Sequence, residues 1–229
     1  MNFKLFSIEN ETILPVVLYG ENRSSEVIEY HKQVMVNYFN IPFNYVSCPF
    51  PYISHGACMN KVISLTIDSI KPDYYWFCDN DAIILKKECV NIMYNMVKNK
   101  MTLAGQIWQS NHKKGPNGMI PHPYISQAFM WLSKDLYNAL GRPTCDDQQE
   151  RSDTAEEITY FAKEKGYFIA GCYPSDSVIK NVDLDNGCQY GLGNTYGPNL
   201  MYHASQQNNP ESKNLFIKKC KEVLDGKFI

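Results

Sequence analysis

Short apolar runs alternate with stretches of helical period along most of this chain, and that alternation predicts an α/β sheet joined by crossovers. Residues 13–19 (ILPVVLY) form a continuous apolar run closed by Gly20 and read as the first buried strand. Ser24 or Ser25 then caps a helix to about Phe39, with Val27, Tyr30, Val34 and Tyr38 near one face. A short strand follows over 43–46. From Ser54 or His55, the apolar positions Met59, Val62, Ile63, Leu65 and Ile70 keep a helical spacing that stops at Lys71-Pro72, because the residue before a proline is pushed out of the helical region. Residues 74–78 (YYWFC) are the next strand, residues 87–98 a helix, and residues 102–108 a strand.

The second half is punctuated more heavily. Residues 111–123 hold two histidines and several Gly and Pro without any period, which predicts a loop over the sheet edge and a candidate substrate lid. A strand is expected over 126–132, and Ser133-Lys134-Asp135 opens a short helix ending at Gly141. Asp153-Thr154-Ala155-Glu156 has the form of a helix start, with Asp153 as N-cap and Glu156 at the third helical position, and that helix ends at Gly166. Residues 167–172 read as a strand, and the stretch from there to Tyr202 reads as loop-rich. Asn209-Pro210-Glu211 introduces a C-terminal helix over about 212–224 that can dock Leu215, Phe216, Val223 and Leu224. No repeat or linker interrupts the 229 residues, so one domain is expected.

Composition narrows the function classes. With 44% hydrophobic and 20% charged residues the chain has the makings of a soluble globular protein. A formal net charge of -2 and the absence of any dense Lys/Arg run argue against nucleic acid as a partner. No apolar run reaches membrane-spanning length, and residues 1–10 lack the pattern of a secretory signal. The eight cysteines have no C-x-x-C spacing and several lie in apolar runs, so they read as reduced, structural thiols of a cytosolic protein.

The chemistry concentrates at Asp79-Asn80-Asp81, a D-x-D triplet directly after the 74–78 run and before Ala82-Ile83-Ile84-Leu85. Carboxylates at the C-terminal end of a buried strand supply hard oxygen ligands at the sheet edge where open α/β folds bind phosphorylated ligands. A second pair, Asp183-Leu184-Asp185, has no preceding strand and sits before Asn186-Gly187, so it reads as a solvated turn.

Taken in order, Val17-Leu18-Tyr19-Gly20, His55-Gly56-Ala57-Cys58-Met59-Asn60-Lys61, Tyr75-Trp76-Phe77-Cys78-Asp79-Asn80-Asp81, Asp153-Thr154-Ala155-Glu156-Glu157, Gly191-Leu192-Gly193-Asn194-Thr195-Tyr196 and Met201-Tyr202-His203 resemble the nucleotide-sugar-dependent glycosyltransferases of the GT-A fold. The resemblance spans about residues 13–205. It implies a Rossmann-like α/β domain with a mainly parallel central sheet flanked by helices, and transfer of a monosaccharide from a nucleotide sugar, UDP being the modal carrier, to a glycan or other hydroxyl acceptor. It further implies Mn²⁺ or Mg²⁺ on Asp81, with Asp79 reaching the ion through water or touching ribose and sugar hydroxyls, and His203 completing the site.

For an inverting reaction the resemblance points to an acidic residue at the start of an acceptor-side helix as general base, hence Asp153, Glu156 or Glu157, with Asp153 favoured. Tyr19, Gly20 and Arg23 fall where similar enzymes hold the nucleoside, and Lys61 within reach of the diphosphate. Gln106 and Trp108 are candidate sugar contacts, since amides bond hydroxyls and an indole stacks on a pyranose. Plainer readings stand beside these: Asp153 as a helix cap, His203 as a strand-end histidine, Lys61 as a solvated lysine. A nucleotidyltransferase of related fold and a non-catalytic carbohydrate-binding domain remain the alternatives.

Overall fold

The computed structural model describes residues 2–20, 24–49, 54–110, 123–147, 152–183, 189–205 and 209–228. In chain order the elements are β1 (Phe6–Ile8), β2 (Glu11–Gly20), α1 (Ser25–Lys32), which runs on into a π-helical turn Gln33–Tyr38, β3 (Asn44–Cys48), α2 (His55–Thr66), β4 (Tyr74–Asp79) and β5 (Ala82–Ile84). They continue with α3 (Glu88–Val97), β6 (Thr102–Trp108), β7 (Tyr124–Ser133), α4 (Lys134–Ala139), α5 (Glu156–Glu164), β8 (Phe168–Cys172), β9 (Pro174–Asp183), β10 (Gln189–Tyr196), β11 (Met201–Ala204) and α6 (Pro210–Leu224).

Among the described residues the central sheet has the order β1-β2-β4-β7-β6-β8, with β3 on the free length of β2. Strands β2, β3, β4, β6 and β8 point the same way, while β1 and β7 oppose their neighbours. The result is a mixed, mainly parallel sheet with helices on both faces. Strand β4 shows why its run is unbroken: Tyr74, Trp76 and Cys78 join the cluster under α1, α3 and α6, while Tyr75 and Phe77 join the one under α2, α4 and α5. A strand covered on both faces has no polar side to alternate with.

The stretch after β8 corrects the loop-rich reading. Strands β9, β10 and β11 join β5 in a second, antiparallel sheet of order β5-β11-β10-β9. The glycine-rich segment is the buried strand β10 rather than a loop. Its glycines answer close approach: a Cβ on Gly193 would lie 2.1 Å from the Tyr202 hydroxyl, and one on Gly191 2.1 Å from the Val178 carbonyl oxygen. The start of α5 is also displaced. The helix begins at Glu156, and Ala155, in the left-handed region at φ 61°, is the residue that precedes it. Asp153 therefore lies outside the helix in a turn whose Glu156 N–H donates to the Asp153 carbonyl.

Helix α2 is fixed at its N-terminus by contacts the sequence only hints at. The Ser54 hydroxyl accepts from the Ala57 N–H and hydrogen-bonds the Asp146 carboxylate. The next turn comes so near residues 145–146 that a Cβ on Gly56 would lie 2.0 Å from the Cys145 carbonyl oxygen. Only glycine fits there.

At the opposite end of the sheet, Glu11 accepts from Lys100 at 2.9 Å and from the Tyr74 and Tyr94 hydroxyls at 2.7 and 3.1 Å. Partial burial pushes the Glu11 carboxyl up, but these three donors outweigh it and its pKa falls below the ordinary value. A carboxyl with a depressed folded pKa contributes stability that is complete above its unfolded pKa, about 4.3, and is lost as pH drops through the folded value. Urea unfolding of Glu11→Gln across the acid range is expected to show a shallower loss of stability than the parent. Parallel curves would mean that the network carries no linkage.

Candidate functional site

Strand β4 ends at Asp79 beside the last residues of β2, and the chain then turns through Asn80 and Asp81 into β5 of the second sheet. The triplet is therefore the seam between the two sheets. Its far side is fixed by β11: the Ala204 N–H donates to the Asp81 carbonyl at 3.0 Å, and His203 stands opposite Ala82 in the ladder. From beneath, the Cys78 thiol donates to the Ala82 carbonyl at 3.2 Å, and the buried His31 is held between Tyr45, at 2.7 Å, and Cys78. Burial drives the His31 pKa down to about 3, so this ring is neutral packing under the turn.

This arrangement gathers Asp79, Asp81 and His203, each offering one ligand atom, with all three atoms within 4.8 Å of one another. The Nε2 of His203 lies 3.5 Å from an Asp81 carboxylate oxygen, and both side chains are about nine-tenths buried. Burial works against protonation of His203, yet the Asp81 and Asp79 carboxylates outweigh it and its pKa rises above the ordinary imidazole value. Two carboxylate oxygens and one imidazole nitrogen at these separations could hold a divalent metal ion.

The three residues open into a cleft of about 260 Å³, further lined by His55, Trp108, Tyr124, Ser126, Gln127, Ala128, Asp153 and Ser205. Trp108 forms one wall, its ring 4.3 Å from that of Tyr190 and 5.8 Å from His203. Asp153 faces the cleft from the other elements. Its carboxylate accepts from the Tyr124 hydroxyl at 3.3 Å and from the Thr154 N–H at 2.8 Å, while its own N–H donates to Glu156 at 2.7 Å.

The other acids of that cluster do not reach the cleft. Glu156 is fully buried and hydrogen-bonds the Tyr160 hydroxyl as well as the Asp153 backbone, so it holds the turn that presents Asp153. Glu157 is also buried and is absent from the cleft lining. Gln106, expected at the sugar, lies wholly buried beneath the cleft, where its Nε2 donates to His203 Nδ1 at 3.1 Å. Lys61 is exposed and borders a separate small cavity with Val46 and Val62. Tyr19 and Gly20 end β2 beside Ser47 and Cys48 of β3. Arg23, the 111–122 part of the expected lid and Asp185 lie outside the described residues.

Five polar residues of the cleft were not singled out as site residues from the sequence: His55, Tyr124, Ser126, Gln127 and Ser205. His55 is the first residue of α2 and its Nδ1 is 3.8 Å from Asp79. Its place at a helix start opposite the triplet was the available signal. The others depend on strand pairing and carry none. A larger groove of about 640 Å³, lined by Tyr38, Phe39, Leu85, Leu200 and Phe228 with Lys86 and Lys87 at its edge, brings together no cluster of metal-ligating side chains among the described residues.

No family model matches the chain, and no curated protein matches it. Among solved structures it is similar to the crystal structure of A197 from STIV, with a TM-score of 0.40 and 8% identity over 69% of this chain and 81% of that one. It is also similar to a glycosyltransferase involved in the glycosylation of the major capsid of PBCV-1, with a TM-score of 0.43 and 12% identity over 69% of this chain and 80% of the other. No described helix is long and apolar enough to cross a membrane.

Proposed function

We propose that this chain is a metal-dependent glycosyltransferase that moves a monosaccharide from a nucleotide sugar, UDP being the expected carrier, to a hydroxyl acceptor with inversion. The observation that carries this reading is the convergence of Asp79, Asp81 and His203 at the C-terminal end of a parallel strand, in a cleft whose far wall presents Asp153. A divalent ion held by those three side chains would supply Lewis-acid neutralisation of the charge that develops on the leaving diphosphate. Asp81 and His203 would ligate the ion, and Asp79 would reach it through water or touch ribose and sugar hydroxyls of the donor. Asp153 takes the acceptor proton: its carboxylate is oriented by Tyr124 and Thr154, and its backbone by Glu156. Trp108, packed at a tilt of 36° against Tyr190, offers the flat apolar face that a sugar ring covers. The seven described cysteines are free and buried, which supports a reducing, cytosolic setting.

A thermal-shift series of nucleotide sugars with and without Mn²⁺ tests the reading, because a ligand that binds only the folded chain raises its melting temperature. UDP-sugars are expected to stabilise the chain only when Mn²⁺ is present, and the productive donor to release UDP slowly without acceptor. Stabilisation by nucleoside triphosphate with release of pyrophosphate would make the chain a nucleotidyltransferase instead. Stabilisation by free glycans alone would make it a binding domain.

A further inference from the structure

Gln106 has no place in the cleft lining and is wholly buried on β6, yet its amide meets the ring nitrogen of His203 that faces away from Asp81. The contact at 3.1 Å joins Gln106 Nε2 and His203 Nδ1, and in the neutral ring it puts the imidazole proton on Nε2, toward the Asp81 carboxylate 3.5 Å away. The other end of the amide, Oε1, is buried and has no hydrogen-bond partner among the described residues. Burying a carbonyl oxygen without a donor is costly, so a side chain that keeps one there is held by another requirement.

The requirement follows from what Nε2 must do. An imidazole that ligates an ion through Nε2 carries its proton on Nδ1, and that proton needs an acceptor. A half-turn of the Gln106 amide would put Oε1 against Nδ1, with the NH₂ group taking the place of the unpartnered oxygen. We infer that Gln106 is a positioning residue that serves both tautomers of His203: its NH₂ group donates to Nδ1 in the ion-free site, and its carbonyl accepts from Nδ1–H when Nε2 turns its lone pair to a divalent ion. A glutamine suits this role because its two ends occupy nearly the same space with opposite hydrogen-bonding sense. The inference rests on the metal centre proposed above.

Mn²⁺ binding to the full chain, followed by the electron paramagnetic resonance signal of the free ion, separates the alternatives without any turnover. Gln106→Met fills the same volume without a carbonyl and is expected to weaken Mn²⁺ affinity by about tenfold to a hundredfold, the usual effect of losing a partner behind a ligating histidine. Gln106→Glu, which can only accept, is expected to bind at least as tightly as the parent, and it carries the test if the methionine variant fails to fold. In a His203→Ala background the Gln106→Met change is expected to have no further effect on affinity. Parent-like affinity in Gln106→Met, a tenfold loss in Gln106→Glu, or an effect of Gln106→Met that persists without His203 each overturns the inference while leaving the metal centre standing. A parent chain that binds no Mn²⁺ overturns both.

Discussion

Asp81→Ala is expected to abolish Mn²⁺ binding and to lower turnover by about a thousandfold or more, equivalent to roughly 4 kcal/mol of transition-state stabilisation. The carboxylate lies between the end of β4 and His203 of β11, where its oxygen is one of three ligand atoms within 4.8 Å. No other described side chain in that cluster can take its place, since Asp79 already contributes and Asn80 is a neutral amide. The fold should survive the change. What Asp81 gives to the architecture is its carbonyl, which accepts from the Ala204 N–H, and alanine keeps that group. Isothermal titration of the folded variant with Mn²⁺, alongside its kinetics, checks the expectation. Near-normal turnover in a folded Asp81→Ala chain would sink the metal assignment.

The second large effect is expected at Asp153. Asp153→Asn should cut kcat by about a hundredfold or more with donor KM almost unchanged, because a general base acts on the acceptor and contributes little to holding the nucleotide. Asparagine keeps an oxygen to accept from Thr154 or Tyr124, so the turn before α5 should hold and the melting temperature should move little. Glu156→Gln is the informative companion. Glu156 is buried on Tyr160 and on the Asp153 backbone, so its substitution should lower stability before it lowers chemistry. If Asp153→Asn stays within a few-fold of the parent at saturating donor, the acceptor proton leaves by another route, or the reaction retains configuration and needs no such base.

The parts of the fold that can be read from the sequence are those where one local signal decides. Strand β4 is apolar on both faces and stands out as a run; α3 and α6 carry apolar stripes; Ser54, Ser133 and Asn209 cap α2, α4 and α6 as oxygen-bearing side chains should. The triplet is legible for the same reason, since it interrupts a buried run with charge. The second sheet is not. Strand β9 begins Pro-Ser-Asp-Ser at the sheet's edge and is exposed on both faces over most of 175–180, and β10 is broken by glycines whose purpose, room for Tyr202 and for the β9 backbone, exists only once the strands pair. The same limit governs the site. Asp79 and Asp81 lie together in sequence, but the partnership of Gln106 with His203 crosses from one sheet to the other, and a strand residue with an amide looks like any other until its neighbour is known. Tyr124 is another such case: it falls between the expected loop and the expected strand, and only the turn at Asp153 gives its hydroxyl a task.

The backbone rung from Ala204 to Asp81 has a consequence for how an ion would arrive. The rung, together with the pairing of His203 opposite Ala82, keeps carboxylate and imidazole facing each other through ordinary strand hydrogen bonds. Among the described residues the ligand side chains are therefore already gathered. A site whose ligands are set in advance in this way would leave the loss of water from the arriving ion as the slower event, so an ion that dehydrates reluctantly would be expected to enter more slowly.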